Sequence, residues 1–346
     1  MRSEVKEMKH HVLRIAGAAL LLLLLVFPQV ISQPFYLHLM ILVFLYGMLG
    51  GAWNIVGGYA GQVSLGHAVY FGIGAYTSTM LLMEYNISPW LGMLAGMLIA
   101  VVVSVILGYP CFRLKGHYFC IATIALGEIF FVLFVNWEWI GGAVGKSLPI
   151  MTQSLANFQF ANKMFYYYIA LFFLAVQIAF TYFLEKNYFG YYFQAIREDQ
   201  DAARSMGIEI TRYKMIAMAF SAIFMAMGGT FYAQYVLFID PESVLPMMLS
   251  IQVCLIAILG GVGTVFGPIL GAMIMIPLSE FVRAWLGGSG SALDLVIYGL
   301  LIMVISVAKP SGLMGFLTER LSPVAGRTDG EAAGPSGPMG GFINGK

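Results

Sequence analysis

Long apolar segments separated by short polar or glycine-rich breaks follow one another along almost the whole chain. Most of these segments are close to the ~20 residues that an α-helix needs to cross the hydrocarbon core of a bilayer. The alternation of polar and apolar positions that the strands of a membrane barrel require is not seen. The pattern therefore predicts an all-α integral membrane protein with about ten transmembrane helices. The predicted helices comprise one within residues 1–35, others at about 36–56, 66–83, 90–110, 117–135, 164–184 and 214–237, two within 248–285, and a last one at about 292–307.

The first apolar run admits two interpretations. Four basic residues precede the leucine-rich run Leu20–Leu25, which is also the layout of a secretory signal peptide. We favour an uncleaved helix, because retaining it balances the basic residues across the membrane. The chain then divides into an N-terminal cytoplasmic segment with the first helix at 1–35, a transmembrane domain at 36–315, and a Gly/Pro-rich cytoplasmic tail at 316–346 that is predicted to be disordered.

Composition agrees with a membrane protein and excludes one class of partner. The chain is 60% hydrophobic and 10% charged, whereas a soluble domain is about 45–50% apolar and about 25% charged. The net charge is +1 and no basic face is apparent, so a general role in binding nucleic acid is excluded. The cysteines have neither metal-site nor redox spacing and are predicted to pack in the apolar core. They are Cys111, Cys120 and Cys254.

Basic residues are distributed unevenly between the two sides of the predicted bundle. With ten helices, all 18 lysines and arginines except Lys146, Lys163 and Arg283 fall on the side of the N-terminus. Because cytoplasmic loops of membrane proteins are enriched in lysine and arginine, this bias predicts that both termini are cytoplasmic.

The densest charge cluster, Phe193–Lys214, lies between two apolar runs on the predicted cytoplasmic side. It is rich in helix formers, and Gly207 stands where a helix would end on a left-handed residue. The predicted helix can offer a small apolar face to a groove on another protein. The alternative is a solvated loop without a partner. The apolar positions are Phe193, Ile196, Ala203 and Met206.

The spacing Asp201-Ala202-Ala203-x-x-x-Gly207 resembles the Glu-Ala-Ala-x-x-x-Gly loop of ATP-binding-cassette importer permeases. Asp201 stands where that family has glutamate, and Ala217–Phe220 stands where it has Ile-x-Leu-Pro. The resemblance implies a cytoplasmic coupling helix that docks on an ATPase subunit. The residues it assigns to that helix are Ile196, Arg197, Glu198, Asp199, Asp201, Ala202, Ala203 and Gly207.

A second group of candidates lies within the membrane domain. The glycine-rich run Gly57–Tyr76 places polar residues at a membrane boundary, where irregular backbone is tolerated only inside protein or beside a water-filled cavity. It is either tight packing at a helix break or the wall of a substrate pathway. Glu128 falls at mid-span, where we favour structural pairing over substrate sensing. The candidate pathway or gate residues are Asn54, Gln62, Ser64, His67, Thr123 and Glu128.

Several motifs in order look like those of the branched-chain amino acid permeases of the LivH/LivM group. They cover roughly residues 40–315, and the extra N-terminal span and Arg113-Leu-Lys-Gly116 are more like LivM. The motifs are Gly57–Tyr76, Arg113–Phe119, Gly127–Ile129, Ala195–Asp199, Asp201–Ala203, Gly207–Ile208, Leu259–Pro268, Tyr298–Leu301 and Lys309–Leu313.

This resemblance implies that the domain at 36–315 is the permease domain of an ATP-driven importer of leucine, isoleucine and valine. Such a subunit spans the lipid bilayer of the bacterial inner (cytoplasmic) membrane in many passes. Its implied partners are a LivH-like permease, two cytoplasmic ATP-binding subunits and a periplasmic substrate-binding protein. The partner ATPases use the ATP, and this chain is expected to bind no cofactor.

The residues argue against two other functions. The segment Gly141–Ser147 resembles a phosphate-binding loop, but Ile140 occupies the position of the first glycine of that motif. ATP binding by this chain is therefore rejected. No catalytic residues and no metal ligands cluster, which argues against an enzyme. A related importer of urea or short amides and a stand-alone secondary transporter or channel stay open as alternatives.

Overall fold

The computed structural model describes residues 22–31, 33–114, 116–151, 154–285, 296, 299–300, 303 and 312–315, and these are mostly helical. Residues 22–30 are helical, and a π-helical turn, Ile55–Tyr59, extends α1. Two strands pair in antiparallel fashion, β1 (Lys146–Ser147) and β2 (Phe238–Ile239). The helices are α1 (Pro34–Asn54), α2 (Ala68–Tyr85), α3 (Pro89–Cys111), α4 (His117–Val135), α5 (Lys163–Lys186), α6 (Tyr188–Glu198), α7 (Gln200–Ser205), α8 (Ile210–Val236), α9 (Pro241–Val244), α10 (Met247–Gly260) and α11 (Gly267–Trp285).

Seven helical segments of the described residues are long and apolar enough to cross a membrane, which confirms an all-α multi-pass membrane protein. Helix α2 coincides with a predicted span but is not among the seven. The predicted last helix and the tail at 316–346 lie almost entirely outside the described residues, so the count of about ten stays a prediction. The seven segments are Pro34–Tyr59, Pro89–Cys111, His117–Val135, Lys163–Lys186, Ile210–Val236, Pro241–Gly260 and Gly267–Ala284.

Prolines and a capping asparagine start three of the membrane helices. Pro34 and Pro89 occupy the first position of α1 and α3, where a missing N–H costs no hydrogen bond. Asn162 precedes α5, and its side-chain oxygen accepts a hydrogen bond of 2.9 Å from the backbone N–H of Met164. These residues fix where the chain re-enters the apolar bundle.

Helices α2 and α8 approach each other through glycine. A Cβ added at Gly74 would lie 2.0 Å from the carbonyl oxygen of Ala226, and one added at Gly229 would lie 1.9 Å from that of Phe71. The hydroxyl of Thr230 donates a hydrogen bond of 3.0 Å to the carbonyl of Gly74. Small residues thus bring the two backbones into direct contact at the centre of the bundle.

A tight helical hairpin joins α10 and α11, as the glycine-rich break in the long apolar run predicted. A Cβ added at Gly260 would lie 1.7 Å from the carbonyl oxygen of Gly267, and one added at Gly271 would lie 2.0 Å from that of Ile256. The chain therefore turns back on itself where only glycine fits.

The opposite end of the bundle carries the β1–β2 pair and the segment resembling a phosphate-binding loop. That segment forms the 3₁₀ turn Gly142–Val144 and then β1, and another 3₁₀ turn, Glu138–Ile140, precedes it, so no strand leads into a long helix there. Lys146 of β1 forms an ion pair of 3.6 Å with Glu84 at the end of α2. These contacts join α2, α4 and α8 at that end.

Candidate functional site

The charge cluster of the sequence folds into two short helices, α6 and α7, separated by a kink at Asp199. The Asp199 carboxylate accepts hydrogen bonds from the backbone N–H groups of Ala202 (3.0 Å) and Asp201 (2.8 Å). It therefore caps the N-terminus of α7, satisfying donors that have no partner within the helix. These two hydrogen bonds lower the pKa of Asp199 from its ordinary value.

Gly207 ends α7 in the left-handed conformation that the sequence predicted, with φ of +85°. The backbone N–H of Ile208 donates to the carbonyl of Ala203 (3.1 Å), and that of Gly207 donates to the carbonyl of Arg204 (3.0 Å). This pair of bonds is the Schellman motif, which closes the last turn of a helix. The chain can therefore reverse direction into α8.

The apolar face predicted for docking is not available to a partner. Phe193, Ile196 and Ala203 are only 0%, 1% and 0% exposed, because they pack inward. Ile196 and Ala203 form a small apolar cluster with Ile210 at the start of α8. Only Met206 of the predicted face is exposed, at 69%. Five of the exposed positions instead form what we call the α7 outer surface, comprising Glu198, Asp199, Asp201, Ala202 and Arg204.

Arg197 joins α6 to two glycine-rich breaks in the membrane domain. Its Nη1 donates a hydrogen bond of 2.9 Å to the carbonyl of Gly58, in the π-helical turn after α1. A Cβ added at Gly61 would lie 3.0 Å from its Cγ, and one added at Gly263 would lie 2.4 Å from its Nη1. Gly61 and Gly263 also have positive φ, of +67° and +76°. We call this contact the Arg197 junction.

Asn54 completes the Arg197 junction from the end of α1. Its side-chain oxygen accepts from the backbone N–H of Gly263 (2.8 Å), and its side-chain nitrogen donates to the carbonyl of Thr264 (2.9 Å). The residue is 1% exposed. Since both ends of the amide are bonded to backbone, Asn54 holds α1 against the α10–α11 turn, and a packing role fits better than a pathway role.

Gln62 and Ser64 lie in the irregular segment between α1 and α2, and both are buried. The Gln62 amide donates to the carbonyl of Gly61 (3.0 Å), and the indole N–H of Trp53 donates to the carbonyl of Ser64 (2.8 Å). These bonds pair polar groups of a segment that has no regular helix to satisfy them. They favour the interpretation of tight packing at a helix break.

His67 and Thr123 support the same segment from its other side, and both are also buried. His67 Nε2 lies 3.0 Å from the hydroxyl of Ser221 on α8. The hydroxyl of Thr123 accepts from the backbone N–H of Leu65 (3.1 Å) and donates to the carbonyl of Cys120 (2.8 Å). Five of the six candidate pathway residues are thus brought close to the break after α1.

Glu128 lies apart from the other candidates. It sits near the middle of α4, its side chain is exposed on the isolated chain, and no hydrogen bond or ion pair joins it to the described part of the chain. The described residues thus provide no partner for Glu128, and structural pairing stays a prediction.

Lys214 is a buried cation that the sequence reasoning did not single out. It lies near the start of α8, is 2% exposed, and its Nζ donates a hydrogen bond of 3.0 Å to the side-chain oxygen of Gln200 on α7. This bond ties α7 to α8. A lysine in the second turn of a helix that continues into the membrane was the available signal.

The cap of α7 is expected to weaken in acid. Because hydrogen bonding lowers the pKa of Asp199 in the folded protein, its stabilising contribution is complete above the ordinary pKa of about 3.9 and is lost as the pH falls through the lower folded-state pKa. Amide exchange protection factors at Asp201 and Ala202 should fall in that range. An Asp199→Asn variant keeps a capping side chain that does not titrate, so its protection should stay constant. The same acid response in both proteins would contradict the assigned cap.

Comparison with known proteins gives one consistent result. A family model described as the permease component of branched-chain amino acid transport systems matches residues 35–306. The high-affinity branched-chain amino acid transport system permease protein LivM of Salmonella typhimurium is 28% identical over 338 residues, covering 91% of this chain and 78% of that protein. LivM of Escherichia coli K12 gives the same identity and coverage.

The corresponding LivH of Salmonella typhimurium is 26% identical over 287 residues, covering 78% of this chain and 91% of that protein. No solved structure matches. The chain therefore belongs to the family of permease components of branched-chain amino acid transport systems.

Proposed function

We propose that this chain is a membrane-spanning permease subunit of an ATP-binding-cassette importer that carries leucine, isoleucine and valine across the bacterial inner membrane. Membership of the permease family and the names of the LivM and LivH relatives support the class of substrate. The Arg197 junction is the observation that carries the mechanism, because it ties a surface helix directly to breaks in the membrane helices.

The proposed coupling element is α6–α7, with the α7 outer surface against a cytoplasmic ATP-binding subunit. The inward packing of Ile196 and Ala203 and the bond from Lys214 to Gln200 hold α6, α7 and the start of α8 together. A force applied to α7 therefore reaches Arg197. Arg197 passes it to the end of α1 and the α10–α11 turn, which are contiguous packed elements able to carry such a displacement.

The partners follow from the same proposal. A LivH-like permease completes the transmembrane pair, two cytoplasmic ATP-binding subunits bind and hydrolyse ATP, and a periplasmic binding protein delivers the substrate. Similarity of this chain to both LivM and LivH supports a pair of related permeases. The substrate passage opens to alternate sides as the ATP-binding subunits close and separate.

Co-purification with the ATP-binding subunits tests the docking surface. Ala202 is exposed on the α7 outer surface, and an indole there would hold the partner away without disturbing the buried cluster. Ala202→Trp is expected to lower the recovered ATPase about fivefold, the loss expected when an interface weakens by ~1 kcal/mol. Glu198→Lys should also lower the recovered ATPase, because it reverses a charge on the α7 outer surface.

The matched control is Ala161→Trp, an exposed alanine next to the start of α5 at the opposite end of the bundle. It should leave ATPase recovery unchanged. Equal recovery from the Ala202→Trp, Glu198→Lys and unmodified chains would contradict docking at α7. Failure of the unmodified chain to retain any ATP-binding subunit would contradict the proposed function as a whole.

A further inference from the structure

Helix α4 is the most exposed of the seven candidate spans. In its apolar window only 17% of the residues are buried, against 89% for Pro34–Tyr59. Five of its exposed positions recur every three or four residues, so these five form one continuous face of the helix. We call this face the α4 stripe, and it comprises Tyr118, Ile121, Ala125, Glu128 and Val132.

Glu128 makes the α4 stripe different from the outer faces of neighbouring spans. Among the described spans, every other Asp, Glu, Lys or Arg lies in the first two or the last two turns of its helix. Helix α3 is also largely exposed, but its exposed face is apolar, as at Leu94, Leu98, Val102 and Ile106. The face of α3 suits acyl chains, whereas that of α4 carries a carboxylate at mid-membrane.

An ionised carboxylate in contact with acyl chains is costly, and intramembrane acids therefore face protein or a water-filled cavity. No described residue of this chain hydrogen-bonds or forms an ion pair with Glu128. The rest of the α4 stripe is aliphatic or aromatic and can pack against another helix. A second permease subunit meets the requirements of both the apolar positions and the carboxylate, because it can cover the apolar positions and leave a hydrated gap at Glu128.

We propose that Glu128 faces the substrate passage between this chain and the second permease subunit, where its carboxylate accepts hydrogen bonds from the ammonium group of the passing amino acid. This inference rests on the proposed function. The Glu128 carboxylate provides one charged contact for the ammonium group of the zwitterionic substrate. Ile121 and Val132 on the same face can contact the aliphatic side chain of the substrate. One such contact holds the ammonium without trapping the substrate.

Accessibility to a charged thiol reagent tests the placement of Glu128. In a chain with Cys111, Cys120 and Cys254 changed to alanine, Glu128→Cys and Leu98→Cys would be assembled with the partner subunits in membranes. Both positions lie near the middle of their helices, on α4 and α3. A membrane-impermeant methanethiosulfonate is expected to label position 128 about tenfold faster or more, because it reacts with hydrated thiolates. Equal or slower labelling at position 128 would overturn the proposal.

Uptake by the assembled complex tests the role of the charge. Glu128→Gln should lower leucine uptake about tenfold with ATP-binding subunits still bound, and Glu128→Asp should restore part of it, because only the carboxylate pairs with the ammonium. Full uptake by Glu128→Gln, or no recovery by Glu128→Asp, would overturn the proposal. If the unmodified complex does not take up leucine, the proposed function itself fails.

Discussion

Replacing Arg197 with alanine is expected to lower ATP-driven uptake about tenfold or more, while the ATP-binding subunits stay bound and hydrolyse ATP. The change removes the hydrogen bond from Nη1 to the carbonyl of Gly58 and the side chain that fills the space beside Gly61 and Gly263. A hydrogen bond to a charged group contributes ~1.5–3 kcal/mol, and tenfold corresponds to ~1.4 kcal/mol. Uptake and ATP hydrolysis would be measured on the same reconstituted complex.

Two further variants sharpen this test. Arg197→Lys keeps the charge but loses the planar fork of donors, so its uptake should lie between that of the Arg197→Ala variant and that of the unmodified protein. Arg212→Ala is the matched control, because Arg212 is exposed and its contact within the described part of the chain is a surface ion pair of 3.6 Å with Glu209. Its uptake should stay within about twofold of the unmodified protein. Normal uptake by Arg197→Ala would show that force does not pass through the Arg197 junction.

Gly229→Ala is expected to cause the greatest loss of folded protein. The new Cβ would lie 1.9 Å from the carbonyl oxygen of Phe71, and a backbone carbonyl within a packed helix cannot move aside as a flexible side chain can. Helices α2 and α8 would have to separate, which would also break the bond from Thr230 to Gly74. Overpacking of this kind costs ~1–3 kcal/mol or more, a large share of the ~5–15 kcal/mol that holds a typical domain together.

The measurement is the yield of monodisperse protein after extraction in mild detergent, with its thermal midpoint. Gly47→Ala is the matched control, because a Cβ added there would meet its nearest neighbour, Leu174, at an ordinary 3.6 Å. Its yield and midpoint should equal those of the unmodified chain. Equal values for Gly229→Ala would contradict the close α2–α8 contact.

The helical layout was largely predictable from the sequence, because a membrane helix is encoded by the length of an apolar run and its flanking breaks. The predicted spans at about 90–110 and 117–135 correspond to α3 (Pro89–Cys111) and α4 (His117–Val135). The left-handed end at Gly207 was also predictable, since it depends on local backbone geometry. Signals of this kind are confined to a few neighbouring residues.

Contacts between distant parts of the chain were not predictable. Arg197 and Gly58 are 139 residues apart in sequence, and no local pattern indicates that they meet. The stripe through Ile196 and Ala203 was correctly recognised as apolar, but periodicity does not tell whether such a face meets a partner or its own protein. The same limit applies to Glu128, whose exposure depends on how α4 is turned within the bundle.

Leucine uptake into liposomes tests directly whether force from separate ATP-binding subunits drives transport through this chain. This chain would be reconstituted with its second permease, two ATP-binding subunits and the binding protein, and in parallel by itself. We expect accumulation against a gradient by the complete complex, only when ATP is supplied on the side carrying α6 and α7, and none by the chain alone. Accumulation of leucine against a gradient by the chain alone, without any ATP-binding subunit, would contradict it.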